Sequence, residues 1–461
     1  MIERLLERIA ALEAKVATLE EQLRQSSQNS SRPPSTDPPT VVRSPARPLT
    51  GRRPGAQPGH TAQTRALVPM AQVDRVVAIR PPRCRGCGAA LRGSDPQPRR
   101  QQVTEVPPVQ PTITEYQWHT LTCPRCGVAT PAAHPPGVPT GAFGPRLTAT
   151  VAVCTGVYHL SKRTTVGLLA DLLGVPLALG SVTACERAAS AAVAAPVIQA
   201  VRYVRQQPVV HVDETGWRER RRRAWLWVAA TAWVTVFRVH ARRGTVAARA
   251  LLGATAAILV TDRWSAYQAW PLARRQLCWA HLRREFVAFT ERGGTAWRVG
   301  DALLGETRAI FALWDRVRDG TLSRRGFQAA MRPHRRRVEG ALRRGTRCRH
   351  AKTAATCQEL LRVAPGLWTF VDVPGVEPTN NAAERPLRPA VLWRKKSFGT
   401  HSAAGSRFAE RMLTVAATLK AQRRNIIDYV TQACVAALHA HPAPSLLPDA
   451  PRAASLHPVR A

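Results

Sequence analysis

Acidic side chains are scarce in this 461-residue chain: 30 Asp and Glu face 67 Lys and Arg, for a formal net charge of +37. Lysine is scarce too, at six residues, so the positive charge is almost wholly arginine. A coding bias towards Ala, Arg and Pro explains part of this, but not a twofold excess of bases over acids. The excess implies a polyanionic partner, and nucleic acid is the natural one. Long apolar runs are lacking. The most hydrophobic stretch, AWLWVAATAWVTVF at 224–237, is 14 residues and rich in β-formers, which excludes a bilayer-spanning helix there. The N-terminus is charged, without an apolar targeting region, so we expect a cytoplasmic protein with no membrane partner, nucleoid-associated when bound to DNA. Ten cysteines do not make a disulfide scaffold at this length. With 45% hydrophobic residues the chain can bury a sizeable core, and its length allows two or three domains.

The pattern along the chain is that of a multidomain protein. Residues 1–25 repeat every seven, with Ile2, Ile9, Val16 and Leu23 at a positions and Leu5, Leu12 and Leu19 at d. β-Branched residues at a with Leu at d favour a parallel two-stranded coiled coil, hence a homodimer or higher oligomer; a helix packed on its own domain is the alternative. Residues 26–80 are rich in Pro, Ser, Gly and Arg and read as a linker. Residues 81–130 carry two knuckles, CRGCG and CPRCG, which set Cys84, Cys87, Cys123 and Cys126 on tight turns either side of a strand-like segment. Paired thiolates of this spacing suit one structural Zn2+ in a zinc-ribbon-like domain. Residues 140–205 read as helices in helix-turn-helix proportions. Ser181, Thr183, Glu186 and Arg187 lie on the second helix, either to read DNA or to pack in a helical core.

From residue 206 the pattern becomes strand-like. PVVHVDET is one strand, RAWLWVAAT and WVTVFRVHARR form a hairpin, and ATAAILVTDRWSAY is a fourth run. Two apolar strands therefore run into acids, Asp213 and Asp262. Side-chain alternation puts Asp213 on the face of His211 and Val209, with Glu214 on the face of Val212, so Asp213 is the site candidate. A third acid, Glu384, sits in EPTNNAAERPLRPAVLWRKKSFG, in the first turns of a helix capped by Thr379 or Asn380. Pro386 and Pro389 should kink or interrupt that helix. Arg385, Arg388, Arg394, Lys395 and Lys396 make its remainder densely cationic, a candidate DNA-backbone contact.

Three carboxylates converging at a sheet edge repel one another. Divalent Mg2+ or Mn2+, with its preference for carboxylate and water oxygens, is the natural compensation. Two such ions would serve phosphoryl transfer. Cys278 and His281 in CWAHLRREF are spaced like metal ligands, but the sequence shows no second pair beside them, which favours a structural or DNA-positioning role. His211 is placed either to orient Asp213 or simply to pack. Trp217, Trp225 and Trp227 read as core.

The order HVDETGW, VTDRWSAY, CWAHLRREF, NNAAERPLRPAVLWRKKSFG resembles the insertion-sequence-66 family of DDE transposases. So do the N-terminal heptads, the stretches NSSRPPS and GAQPGH, and the paired CxxCG knuckles, over residues 1–435. The resemblance implies an α/β RNase H-like core in two parts, 206–286 and 373–435, split by a helical insertion at 287–372; the tail at 436–461, outside the resemblance, reads as disordered. It places the catalytic acids on Asp213, Asp262 and Glu384. It also implies DNA as partner, both the element's terminal inverted repeats and target DNA, and two small accessory proteins encoded by the element. The activity implied is metal-dependent cleavage at the element ends, then attack of the freed 3′-hydroxyl on target DNA. A catalytically inactive repressor and an RNase H-type nuclease or resolvase are the competing readings.

Overall fold

A computed structural model describes residues 66–449 and scattered positions before residue 31. Most of the heptad segment at 1–25, most of the linker up to residue 65 and the end of the tail fall outside the described residues. The chain divides into two compact units, residues 42–111 and the remainder.

In the smaller unit the first knuckle is a closed turn: Cys84 N–H donates to Ala89 O at 2.9 Å, and Gly88 N–H returns to Cys84 O at 3.0 Å. In the larger unit the second knuckle repeats it, with Cys123 N–H to Val128 O at 2.9 Å and Gly127 N–H to Cys123 O at 2.8 Å. Strands β1 (Thr120–Thr122) and β2 (Ala129–Pro131) flank this second turn. Gly88 and Gly127 take φ of 74° and 73°, the left-handed region that glycine enters without cost.

Four helices follow: α1 (Pro145–Gly156), α2 (Lys162–Leu173), α3 (Leu179–Ala192) and α4 (Ala194–Arg205). Ser161 caps α2 through Thr164 N–H, and Gly174 ends it at φ 63°. Lys162 reaches across to α3, donating to Thr183 Oγ1 at 2.7 Å and pairing with Glu186 at 2.9 Å. Thr183 and Glu186 are thus tied to α2, Ser181 is half-buried, and Arg187 is exposed.

The centre is a five-stranded sheet in the order β5-β4-β3-β6-β7: β3 (Val209–Glu219), β4 (Arg222–Ala230), β5 (Thr235–His240), β6 (Ile258–Thr261) and β7 (Arg275–Leu277). β3, β4 and β5 are antiparallel, whereas β3, β6 and β7 run parallel, with α5 (Thr245–Leu252) crossing from β5 to β6. Alternation sorts the faces. Val210, Val212, Trp227 and Ala229 join the core with α1, α4 and α5, while Trp217, Leu226 and Val228 pack on the opposite side. β3 is longer than its apolar run implies. It continues to Glu219 because Trp217, Ala224 and Leu226 pack against Ala383, Leu387 and Ala390.

After β7 come α6 (Trp279–Glu291), α7 (Gly294–Arg318), α8 (Arg324–Gly345), α9 (Ala351–Arg362) and the short α10 (Thr369–Asp372). Their aromatic core includes Trp279, Phe286, Trp314, Phe327, Trp368 and Phe370. The 364–370 segment covers the open edge of β7: Thr369 Oγ1 donates to Arg275 O at 2.6 Å, and Gln276 Oε1 accepts Phe370 N–H at 2.7 Å. Covering an edge this way blocks pairing with other chains.

The chain then returns to the sheet as α11 (Asn381–Ser397), followed by α12 (Ala403–Gln422) and α13 (Ile426–Leu438). Pro386 and Pro389 do not interrupt α11, against the sequence expectation. Ala383, Leu387 and Ala390 form one stripe buried on the sheet, and that packing carries the helix past two missing N–H donors. Among the described residues no helix is long and apolar enough to cross a membrane. Trp227 is fully buried at the centre of this sheet. Trp227→Ala should therefore cost about 3–5 kcal/mol, read as a lowered urea midpoint.

Candidate active site

The register of the parallel strands builds the site. His211 pairs with Val260 across β3 and β6, so Asp213 and Asp262 stand two residues further along on neighbouring strands. Leu277 pairs with Thr261 one strand over, which puts Cys278 next in the row; its N–H donates to Thr261 O at 2.8 Å. Asp213, just past the stretch of β3 that pairs with β6, thus stands beside Asp262 and Cys278, which directly follow β6 and β7.

Glu384 arrives on α11, pinned by the residue before that helix. Asn380 is fully buried, donates from Nδ2 to Val212 O at 2.8 Å, and donates from its backbone N–H to Cys278 Sγ at 3.2 Å. Its side chain therefore bonds to β3 and does not cap the helix. One residue ties the first turn of α11 to the strand carrying Asp213 and to the end of β7.

The electrostatics are unusual for so basic a chain. Among the described residues Asp213 and Asp262 make no salt bridge; each accepts one backbone N–H, from Glu214 and Trp264, both at 2.9 Å. Burial, then the charges of Glu214, Asp262 and Glu384, hold Asp213 well above the usual carboxylate range. Burial also raises Asp262 and Glu384, although Arg243, Arg263 and Arg275 oppose it at Asp262 and Arg284 and Arg388 at Glu384. Glu384 Oε1 is buried without a hydrogen-bond partner. Burial pushes His281 down to about 4, with Arg284 and Arg263 adding to it, so the ring 3.6 Å from Glu384 is neutral near pH 7. Buried carboxylates held above their usual range despite nearby arginines are a donor set for a hard divalent cation, so the residues fit Mg2+ or Mn2+.

Glu214 is held apart, as alternation implies. Arg243 Nε meets one oxygen at 2.9 Å and Tyr267 Oη the other at 2.6 Å. Arg243 also stacks 4.0 Å from the Trp264 ring, and Trp264 Nε1 donates to Arg243 O at 2.9 Å. This network fixes the loop after β6, and with it Asp262.

A model described as the IS66 transposase family matches residues 140–407, more than half the chain. The chain belongs to that family. A second model, for a family of unknown function (DUF6444), matches residues 1–66. A curated relative from Sinorhizobium fredii (strain NBRC 101917 / NGR234), described as uncharacterized protein y4qI, is 26% identical over 240 residues, covering 46% of this chain. The match spans 43% of that relative's own length.

The structure adds to what spacing shows for the other candidates in this family member. Cys278, His281 and Glu384 have ligand atoms all within 4.8 Å of one another, the one such group of three among the described residues. The Cys-x2-His pair therefore has a third partner, supplied from about a hundred residues away and invisible to local spacing. His211 is buried beside Asn380, and burial lowers it to about 4. Arg394 is committed to the fold, donating to Gly216 O at 2.6 Å, while Arg385, Arg388, Lys395 and Lys396 are exposed. Asn380, Arg243 and Tyr267 were not foreseen as site residues. The paired Asn in NNAAERP was the available hint for the first.

Because its folded pKa is raised, Asp213 binds its proton more tightly folded than unfolded. In EDTA its contribution to stability should fall as pH rises from 3.8 through the raised value. Asp213→Asn should therefore melt a few degrees above wild type at pH 8, with the gap closing towards pH 4 or on adding Mg2+, in a differential scanning calorimetry series.

Proposed function

We propose that this chain is the DNA transposase of a bacterial insertion sequence, with Asp213, Asp262 and Glu384 as its catalytic carboxylates. What supports the reading is the placement of these acids by the strand register and by the return of α11 to the sheet. Two are set side by side by parallel register, and the third is brought by a helix pinned to the same strand. The sheet order, three antiparallel strands continued by two parallel ones, supports an RNase H-like core. The helices α7–α9 then form an insertion between the second and third acid.

The reaction is hydrolysis of a phosphodiester at the element end, which frees a 3′-hydroxyl. Attack of that hydroxyl on a phosphodiester of target DNA follows. Asp213, Asp262 and Glu384 would hold the divalent ions, which would supply Lewis-acid stabilisation at the reacting phosphate. Asp213 and Asp262 hold fixed positions because the strands fix them. Glu384 is held in place by the Asn380 bonds at the start of α11, and His281, being neutral, does not neutralise it. Exposed Arg385, Arg388, Lys395 and Lys396 supply phosphate contacts along the same helix.

The zinc-ribbon reading of Cys84, Cys87, Cys123 and Cys126 rests on their spacing and on two matching turns. In each, backbone N–H groups face the first thiol and lower its pKa: those of Cys87 and Gly86 for Cys84, those of Cys126 and Arg125 for Cys123. Accessory proteins follow from the family resemblance alone, and an oligomeric state from the heptads at residues 1–25.

Asp213→Asn should lose nicking and joining of DNA carrying the gene's own flanking ends by at least about a thousandfold, while end binding stays within a few-fold. Equal loss of binding would make Asp213 structural. End binding by the wild type with no cutting in Mg2+ or Mn2+ would favour a repressor. Chelation of zinc should disrupt residues 80–130 in limited proteolysis and leave the 208–435 region resistant.

A further inference from the structure

Beyond the carboxylates, β3 and β4 continue together as a ribbon of six residue pairs, Glu214–Glu219 with Arg222–Trp227. This ribbon and the end of α11 line an open cavity of about 700 Å3, of which the chemistry above uses only Lys395. Arg218, Arg221, Arg223 and Lys395 contribute to its walls, together with Trp225 and Phe398.

Three features at these walls cost stability. The ribbon turns through Arg220 and Arg221, at φ 49° and 64°. A two-residue turn of this kind favours Asn-Gly, and arginine there is strained. Phe398 ends α11 in the left-handed region, at φ 60°, and is 72% exposed. Helices ordinarily end in this conformation with glycine, so an exposed aromatic there costs twice. The third is Trp225, whose buried Nε1 has no hydrogen-bond partner and whose ring has Arg223 at 5.6 Å. The tip is nevertheless held rigidly. Arg220 N–H donates to Thr400 O at 3.0 Å, Thr400 N–H donates to Arg218 O at 2.9 Å, and Glu219, the sole acid at the tip, is engaged by Ser406.

We propose that this cavity captures an unpaired nucleotide of the DNA strand running into the active site, an inference resting on the DNA reading above. Cationic walls match the phosphates, and an exposed ring matches the face of a base. Stacking of that kind requires a base freed from its partner. Gly216, on the cavity wall, lies three residues along β3 from Asp213, about 10 Å at roughly 3.3 Å per residue. The missing side chain at Gly216 keeps the wall open for Arg394, whose Nη1 would lie 2.9 Å from a Cβ there.

The test is fluorescence anisotropy of the full chain in EDTA, with a labelled oligothymidylate and a duplex of equal length. Phe398→Ala should weaken single-strand binding about tenfold, the loss of one stacked base, and leave duplex binding within twofold. Phe398→Tyr should restore it. Arg221→Gly, which relieves the strained turn, should weaken single-strand binding and flatten its salt dependence without lowering the melting temperature. An equal fall on both DNAs in Phe398→Ala, or no fall on either, would overturn the cavity's role. A wild type that binds neither DNA would overturn the transposase reading along with it.

Discussion

The amide of Asn380 is the contact on which the site depends. Its hydrogen bond to Val212 O spans 168 residues of sequence, and its backbone bond to Cys278 Sγ spans 102. The two aspartates need no such device, because parallel pairing of β3 and β6 aligns them. Glu384 does, since a large helical segment separates it from Asp262. A buried amide satisfies the last free carbonyl before Asp213 and fixes the first turn of α11 at once. Leaving that carbonyl unpaired would cost its desolvation, so fold and site are stabilised by the same bond.

The charge distribution follows a matching logic. A surplus of arginine is spread over exposed helices and the ribbon tip, yet the three carboxylates have no salt bridge among the described residues. Glu214, one position from Asp213, pairs with Arg243 and accepts a hydrogen bond from Tyr267 Oη. Neighbouring acids of similar burial thus have opposite treatments: one is locked to the fold, the other left under electrostatic tension. Such tension weakens the free protein and is relieved on binding a cation, the usual relation between function and stability at a charged site.

Much of this was legible in the sequence, and the boundary is physical. Period-two alternation separates Asp213 from Glu214, because a strand has only two faces. Apolar runs mark β3, β4, β5 and β6. The extension of β3 to Glu219 was not legible, since GWRE carries no apolar alternation and its pairing is decided by α11 lying against it. The passage of α11 through two prolines was likewise set by tertiary packing. Short β7 hides in three residues, and the gathering of Cys278, His281 and Glu384 depends on the long-range return of Asn380. Local pattern reports faces and periods; it does not report which distant segment closes over an edge.

The most direct test of the account is a crystal structure with Mn2+, located by its anomalous scattering. The account predicts density bounded by Asp213, Asp262 and Glu384, with Asn380 still bonded to Val212. Manganese held away from the two aspartates, or Glu384 turned from them with the ion present, would contradict it.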